Sequence, residues 1–211
     1  QASITGMHRA VDALKITPEF IIIDGCSNDG NLEFIKDKEA EFNANLISFI
    51  ILSEKDEGIA DAWNKGLKLV KGDIVFFLNS DDWISETTIE KAVSFLNAEK
   101  LELVYGVCNR VDLDKKKLGA FQKKYTKHRE LWNFGFSFTT CFCTKKVYDN
   151  IGEFNTDYKI AIDSDFLLRC IKNKVKFKQK DIIGKSIIEV FPSTATNGVV
   201  EIYKKCFERL E

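Results

Sequence analysis

The first half of the chain alternates short apolar runs with segments in which apolar residues recur at helical spacing. This spacing predicts a helix over residues 3–15, ahead of the first apolar run. Three strand-and-helix pairs are predicted next, at 19–24 and 31–42, 46–52 and 58–70, and 74–78 and 86–98. Strands that alternate with helices favour an α/β fold with a mostly parallel sheet and right-handed crossovers.

The second half of the chain contains shorter and more varied elements. We predict strands at 101–107, 137–143, 175–178 and 182–190, and helices at 145–150, 164–173 and 199–210. Residues 111–119 are expected to form a hairpin or a protruding loop, and a basic, aromatic stretch covers 119–136. No repeat, low-complexity segment or linker interrupts the pattern, so we expect one domain over residues 1–211.

Composition narrows the class of protein. The chain has 211 residues, of which 45% are hydrophobic and 30% charged, as in globular proteins with one sizeable core. A net charge of -1 argues against a nucleic-acid partner bound through bulk positive charge. No run of about 18 apolar residues is present, so we expect no transmembrane helix, and we expect no signal peptide. The six cysteines match no zinc or redox pattern and are expected to be buried, reduced thiols of a cytosolic protein.

Two adjacent carboxylates follow the apolar run 74–78, in the sequence Asn79-Ser80-Asp81-Asp82. Neighbouring carboxylates at the end of a buried strand repel each other, and a divalent cation between them and a phosphate removes much of that cost. Ligands of open α/β sheets bind at the carboxyl ends of the strands. Hard oxygen ligands suit Mg²⁺ or Mn²⁺, so the pattern indicates a metal-assisted site for a phosphate-bearing ligand.

A second polar cluster is DGCSNDG, at residues 24–30. Asp24, Ser27 and Asp29 offer acceptors and a hydroxyl that can bind a base or a ribose, beside a helix N-terminus that favours an anion. The same composition is also typical of an ordinary Asx/Gly turn that caps the next helix.

Two further clusters lie at predicted helix starts, and each has a plain structural alternative. Gly58 precedes a helix that carries Asp61 and Asn64, and Asn64 is a modest helix former in a helix interior. A surface helix with solvated charges would look similar. Asp163 and Asp165 open the helix at 164–173, where one can cap the helix while the other acts as a general base.

In their order and spacing these segments resemble family 2 glycosyltransferases of the GT-A fold, most of all the bacterial branch that builds surface polysaccharides. The matching segments are IIIDGCSNDG (21–30), SEKDEGIADAWNKG (53–66), GDIVFFLNSDDW (72–83) and the run from FTTCFCTKKVYDNIGEFN (138–155) to AIDSDFLLR (161–169). The resemblance implies a GT-A nucleotide-binding half over residues 1–100 and an acceptor-binding half over 101–211. Such a sheet begins with a strand before the first helix, and we expect that strand to be missing from this chain.

The activity that the resemblance implies is metal-assisted sugar transfer by a single displacement, with inversion at the anomeric carbon. The donor would be a nucleotide-sugar, expected to be a UDP-sugar, and the acceptor a saccharide or a lipid-linked saccharide. Asp82 would hold the metal against the diphosphate, with Asp81 near the ribose and the metal. Asp163 would be the catalytic base, and Asp165 a supporting carboxylate. The residues expected to bind the nucleotide are Asp24, Ser27, Asp29, Asp56, Gly58, Asn64, Asn79 and Asp81.

The chain departs from the family pattern at several positions. Gly25 stands where many relatives have a second aspartate, and the acidic motif reads Ser80-Asp81-Asp82 in place of Asp-x-Asp. Phe138 or Thr139 stands where many relatives have a histidine.

The stretch 119–136 is the expected acceptor-side loop, because aromatic faces stack on sugar rings. Its aromatic residues could instead pack as core under a loop. Lysines at 115–117 and 123–127 favour peripheral contact with an anionic membrane surface, at the cytoplasmic face of the inner membrane. A solvated charged loop would have the same composition.

Two other functions stay open on the sequence. A sugar-nucleotide pyrophosphorylase on a related sheet would grip a triphosphate with a Gly-rich loop near a first strand. A non-catalytic or degenerate sugar- or metal-binding module would keep the fold without the transfer reaction.

Overall fold

A computed structural model describes residues 19–26, 28, 32–33, 35–36, 39, 48–79, 82–85, 87–111, 117–121, 125–127 and 137–187. The predicted helices at 3–15 and 199–210 and most of the stretch 119–136 lie outside these residues. Within the predicted helix 31–42, all five described residues are helical, which confirms that segment as far as it is described.

The first described strands form a parallel pair, as predicted. Strand β1 (Glu19–Asp24) pairs in register with β2 (Ser48–Ser53), so Asp24 and Ser53 lie side by side at the carboxyl edge. Helix α1 (Ile59–Leu69) follows β2 and packs against β1, where Gly66 lies beside the Ile23 side chain. This unit places three sequence-predicted site residues, Asp24, Asp56 and Gly58, at one edge.

The other described strands form a mixed sheet in the order β3-β7-β5-β8-β4, with β6 paired to β5. Their bounds are β3 Ile74–Phe76, β4 Asp82–Ile84, β5 Leu103–Val111, β6 Lys117–Phe121, β7 Phe142–Thr144 and β8 Phe177–Ile187. Only β5 and β8 run parallel; the other four pairings of this sheet are antiparallel. The expected parallel character therefore holds for β1–β2 and β5–β8. The connection from β5 to β6 is too short for the crossover that a parallel pair requires.

Three more helices are present among the described residues: α2 (Thr88–Glu99), α3 (Lys145–Ile151) and α4 (Ile162–Lys172). Two expectations for the second half need correction. The predicted strand 137–143 is a 3-10 turn (Phe138–Thr140) followed by β7, because the Ser137 hydroxyl accepts the Thr139 N–H and bends the chain. The two strands predicted at 175–178 and 182–190 are one strand, β8, as far as the structure describes them.

A cluster of aromatic side chains joins the first half of the chain to the second. The Trp63 ring of α1 lies 5.0 Å from Phe77, 5.3 Å from Phe138 and 4.9 Å from Phe154, measured between ring centroids. Aromatic pairs at these distances add packing energy to the area that they bury. The cluster holds the segment after β3 against the 3-10 turn at Phe138, and so brings Asn79 and Asp82 close to that turn.

The long central pairing of β5 with β8 depends on one glycine. The register shifts between Tyr105 and Val107, and a Cβ at Gly106 would lie only 2.1 Å from the Ile182 carbonyl oxygen. Two backbones approach this closely only where no side chain separates them.

Candidate functional site

The carboxyl edge of β1 and β2 brings two predicted nucleotide-binding carboxylates together. Asp24 is buried, and its Oδ2 accepts the Ser53 hydroxyl at 2.6 Å. A Cβ built at Gly25 would lie 2.5 Å from Oδ2 of Asp56, so the Asp56 carboxylate fills the space beside residue 25. The absence of a side chain at Gly25 thus makes room for Asp56. Ser27 and Asp29 lie outside the described residues.

The start of α1 is organised by two aspartates. Oδ1 of Asp56 accepts the Gly58 N–H at 3.0 Å, and Oδ2 of Asp61 accepts the Glu57 N–H at 3.1 Å. The Glu57 N–H and the nearby Lys65 ammonium hold the pKa of Asp61 below its usual value. These carboxylates satisfy amides that the helix itself leaves without a partner.

A small pocket lies between the first turn of α1 and the segment that precedes α4. Its walls are residues 57–61 on one side and Thr156, Tyr158, Lys159 and Ile162 on the other. The Lys159 ammonium crosses between the two sides and donates to the Glu57 carbonyl at 2.9 Å. The pocket therefore connects the predicted nucleotide edge with the start of the helix that carries Asp163.

Asp163 is half-buried in the first turn of α4. Its Oδ1 accepts the Ser164 N–H at 2.8 Å and the Ser164 hydroxyl at 3.3 Å. Burial raises the pKa of Asp163, and the two Ser164 donors oppose part of that rise. A carboxylate whose pKa is raised is a better proton acceptor near neutral pH than an exposed one.

Asp165, the second predicted catalytic carboxylate, lies in a different environment. It is buried, its Oδ2 accepts a hydrogen bond from Nε of Arg169 at 2.9 Å, and the same oxygen lies 2.9 Å from Nη2 in an ion pair. Arg169 also donates to the carbonyls of Ile151 and Glu153, at 2.9 and 3.0 Å. The carboxylate is thus part of an ion pair that fastens α4 to the end of α3, and the structure does not bring it into contact with the Asp163 carboxylate.

Asn64 was predicted to bind the nucleotide, and the structure gives its side chain another partner. The residue is buried, its Nδ2 donates to the Phe154 carbonyl at 2.9 Å, and its Oδ1 accepts the Phe154 N–H at 2.8 Å. Both polar atoms of the amide are therefore bound to backbone 90 residues away in sequence. This contact explains an asparagine in a helix interior, and we remove it from the nucleotide-binding set.

Asp82 does not lie in an open loop after β3, as the sequence suggested, but begins the short strand β4. The residue is 1% exposed. Oδ2 accepts the Thr139 hydroxyl at 2.7 Å, and the Asn79 amide nitrogen approaches the same oxygen at 3.4 Å. Thr139 in turn accepts the Ser137 hydroxyl at 3.1 Å. The sequence pointed to residues 138 and 139 as departures from relatives, but not to this contact.

A divalent cation needs several oxygen or nitrogen ligands that converge on one point. No three His, Cys, Asp or Glu side chains among them converge as a set of metal ligands. Asp82 is buried and its Oδ2 accepts the Thr139 hydroxyl, and its assignment as a metal ligand stays a prediction. The Asn79 side chain is exposed, and Asp81 lies outside the described residues.

Four of the cysteines confirm the expectation of buried thiols. Cys108, Cys141, Cys143 and Cys170 are buried and form no disulfide. Burial raises the pKa of Cys108 to about 11 and that of Cys170 to about 12, so these thiols stay protonated and unreactive. Cys26 differs, because it is exposed.

The chain was compared with known proteins. The family model described as "Glycosyl transferase family 2" matches residues 7–156. A PGL/p-HBAD biosynthesis glycosyltransferase of Mycobacterium bovis (strain BCG / Pasteur 1173P2) is 29% identical over 157 residues, which cover 74% of this chain and 59% of the relative.

Solved structures share the fold. A crystal structure of S. aureus TarS 1-349 in complex with UDP-GlcNAc matches with a TM-score of 0.71 and 17% identity, over 92% of this chain and 56% of that one. The mannosyltransferase PcManGT from Pyrobaculum calidifontis, in complex with GDP-Man and Mn²⁺, matches with a TM-score of 0.64 and 17% identity, over 93% of this chain and 54% of that one. The chain thus spans little more than half the length of these proteins, and its α/β fold is GT-A. None of the helices in the described part of the chain has the length and apolar character that crossing a bilayer requires.

Proposed function

The chain belongs to glycosyl transferase family 2, and from that premise we propose that it transfers a sugar from a nucleotide-sugar to a saccharide or lipid-linked acceptor by a single inverting displacement. The observation that carries the proposal is Asp163. Its carboxyl is half-buried, its pKa is raised by burial, and it directly follows Ile162 in the wall of the pocket that reaches α1.

In this proposal Asp163 is the general base. It takes the proton of an acceptor hydroxyl as that oxygen bonds to the anomeric carbon, while the bond from that carbon to the diphosphate oxygen breaks. The nucleoside diphosphate leaves on the opposite face of the sugar, which inverts the anomeric carbon. The two Ser164 donors keep the carboxylate oriented and ionised enough to accept the proton.

We assign the nucleotide to the edge formed by Asp24, Asp56 and the start of α1. The assignment is supported by Asp24 at the carboxyl end of β1 and by the Asp56 carboxylate, which lies beside Gly25, the next residue of the chain. Asn79, which is exposed in the segment after β3, is assigned to the same nucleotide site. Asp81, Ser27 and Asp29 are assigned to it from their positions in the sequence alone. The TarS complex with UDP-GlcNAc supports a uridine donor.

We also propose a divalent cation, Mg²⁺ or Mn²⁺, at residues 79–81, with Asp81 as its carboxylate ligand. The Mn²⁺ in the PcManGT structure supports this choice of metal. When bound, such a cation neutralises the charge that builds up on the departing diphosphate. Among the described residues Asn79 is the side chain that fits as its neighbour.

For the acceptor we propose a chemical class and no single compound. The similarity to a mycobacterial PGL/p-HBAD biosynthesis glycosyltransferase supports an acceptor that is an intermediate of a biosynthetic route, here a saccharide or a lipid-linked saccharide. Exposed Lys117 and Lys127 support peripheral contact with an anionic membrane, which co-sedimentation with anionic and neutral vesicles tests.

The test is a donor screen. The full chain is incubated with Mn²⁺ and a panel of UDP- and GDP-sugars, and release of nucleoside diphosphate is measured with and without saccharide acceptors. We expect release from at least one donor, and we expect Asp163→Asn to bind UDP as well as the unaltered chain while transfer falls by a factor of about a hundred or more.

Three outcomes would contradict parts of this proposal. Undiminished transfer by Asp163→Asn would remove the proposed base. Consumption of a nucleoside triphosphate would favour the pyrophosphorylase alternative. No binding of any nucleotide would favour the non-catalytic alternative.

A further inference from the structure

We infer that Lys65 is a positioning residue, which holds the loop 54–58 in the shape that presents Asp56 to the nucleotide. The inference rests on the proposed function, because it concerns how the chain prepares the edge to which we assign the nucleotide. In this part of the sequence Asp56, Gly58 and Asn64 were expected to bind the nucleotide, and Lys65 had no role.

The Lys65 ammonium lies where α1 meets the loop that precedes it. Its Nζ donates to the Lys55 carbonyl at 2.8 Å, and it lies 3.0 Å from Oε1 of Glu54 and 3.1 Å from Oδ2 of Asp61. An ammonium has three N–H donors, so each of them has an oxygen partner here. The Lys65 side chain is 19% exposed, against 65% for Lys68 on the same helix. Lys65 is thus held on the loop and does not extend into solvent.

Both chain neighbours of Asp56 are attached to this ammonium. On one side the Lys55 carbonyl accepts from it directly. On the other side the Glu57 N–H donates at 3.1 Å to Oδ2 of Asp61, and the same oxygen lies beside the Lys65 ammonium. Asp56 therefore lies between two residues that one cation holds, directly on one side and through a carboxylate on the other.

The two oxygens of Asp56 are placed by the backbone of this loop. Oδ1 accepts the Gly58 N–H at 3.0 Å, and Oδ2 lies 2.5 Å from the position that a Cβ at Gly25 would take. Both contacts require residues 55–58 to keep their turn. A loop that is ordered before the nucleotide arrives lowers the entropy cost of binding. Removal of the Lys65 ammonium should therefore weaken nucleotide binding through Asp56.

The contacts of Lys65 favour this role over direct binding of a phosphate. The Glu54 carboxylate raises the pKa of Lys65, and burial opposes part of that rise, so the ammonium stays charged near neutral pH. Its charge already faces the carboxylates of Glu54 and Asp61. The loop has a second support, because the Lys159 ammonium donates to the Glu57 carbonyl at 2.9 Å. We therefore expect loss of Lys65 to loosen the loop and not to unfold it.

The experiment compares Lys65→Met, Asp56→Ala and the double variant in the full chain. UDP affinity is measured by calorimetry with Mn²⁺ present, and folding by thermal unfolding. KM and kcat are measured with a sugar donor that the donor screen identifies. Lys68→Met is the matched control, because Lys68 lies on the same helix and its ammonium is 3.6 Å from one exposed carboxylate, that of Glu153.

We expect Lys65→Met to weaken UDP binding by about tenfold, since groups in one network of contacts couple by about this amount. The double variant should bind UDP as Asp56→Ala does, because Lys65 acts through Asp56. With a sugar donor, Lys65→Met should raise KM and leave kcat within about twofold, because it leaves Asp163 unchanged. Lys68→Met should match the unaltered chain in every assay.

UDP binding by Lys65→Met as tight as that of the unaltered chain, with weak binding by Asp56→Ala, would overturn the inference and leave the proposed function standing. A further loss of affinity when Lys65→Met is added to Asp56→Ala would also overturn it, because Lys65 would then act on the nucleotide by another route. A fall in kcat at unchanged KM would overturn it as well.

Two further outcomes are decisive. If Lys65→Met does not fold, Asp61→Ala, which removes the link to the Glu57 N–H, takes its place in the same comparison with Asp56→Ala. Normal UDP binding by Asp56→Ala would overturn the inference together with the assignment of Asp56. Failure of the unaltered chain to bind UDP with Mn²⁺ would instead overturn the proposed function.

Discussion

Asn64 of α1 binds the backbone of Phe154 with both ends of its amide, at 2.9 Å to the carbonyl and 2.8 Å to the N–H. The pair is buried, and it closes a distance of 90 residues in the sequence. The Asn64 amide thus makes the same two hydrogen bonds to Phe154 that the backbone of a neighbouring β-strand residue would make. The contact fixes the loop after α3 against the helix whose first turn forms one wall of the pocket.

We predict that Asn64→Ala lowers the free energy of unfolding by about 2–4 kcal/mol, because it leaves the Phe154 N–H and carbonyl buried without partners. Urea unfolding measures the change. Asn173→Ala is the control, since its amide also donates to a backbone carbonyl, that of Arg169 at 2.9 Å, but is exposed. A loss in the control as large as that in Asn64→Ala would refute the argument from burial.

Arg169→Met is expected to cost about 3–5 kcal/mol of stability. The change leaves Asp165 as a buried carboxylate without its guanidinium and frees two backbone carbonyls. The exposed pair of Lys145 with Asp149, at the same i,i+4 spacing, provides the comparison. Lys145→Met should change stability by less than about 1 kcal/mol in the same thermal unfolding assay. Equal effects of the two changes would show that the burial of Asp165 is unimportant.

Asp163→Asn should stabilise the chain at neutral pH while it stops transfer. Because burial raises the pKa of this carboxyl in the folded state, the folded state holds its proton to higher pH than the unfolded state does. The stabilisation that this proton gives the folded state is complete below the pKa of the carboxyl in the unfolded state, which is about 4. It is lost as the pH rises through the higher pKa of the carboxyl in the folded state. The advantage of Asp163→Asn should therefore grow from about pH 4 upward.

Unfolding free energies of the unaltered chain and Asp163→Asn, measured across this range, check that sign. The argument is contradicted if the free energy of unfolding of Asp163→Asn, minus that of the unaltered chain, is smaller at pH 7 than at pH 4. The same raised pKa predicts that transfer by the unaltered chain declines on the acid side, as Asp163 becomes protonated.

Gly106→Ala should destabilise the fold by about 3 kcal/mol, because the new methyl group would meet the Ile182 carbonyl oxygen at the centre of the β5–β8 pairing. Gly72→Ala is the control, since its nearest atom would be the Ile74 carbonyl oxygen at 4.0 Å. We expect the control to unfold within a few degrees of the unaltered chain. A tolerated alanine at position 106 would mean that the two strands can separate there at little cost.

Local pattern predicted the elements whose stability is decided within a few neighbouring residues. The apolar run at 19–24 and the helical spacing at 58–70 became β1 and α1 with boundaries shifted by at most one residue. β4 was missed, because a strand of three residues that begins with an aspartate has no periodicity to detect. The 3-10 turn at Phe138–Thr140 was predicted to be a strand, since the hydrogen bonds to Ser137 that bend the chain there leave no mark on the apolar pattern.

The amino-acid sequence was enough to indicate the fold class, the family and the aspartates of the candidate site. It did not indicate which residue each polar side chain would bind. Asn64 finds Phe154 across 90 residues and Asp82 finds Thr139 across 57, because the packing of Trp63, Phe77 and Phe138 brings those segments together. Burial then turns a polar residue toward whatever donor or acceptor lies nearest, and only the folded chain determines which one that is.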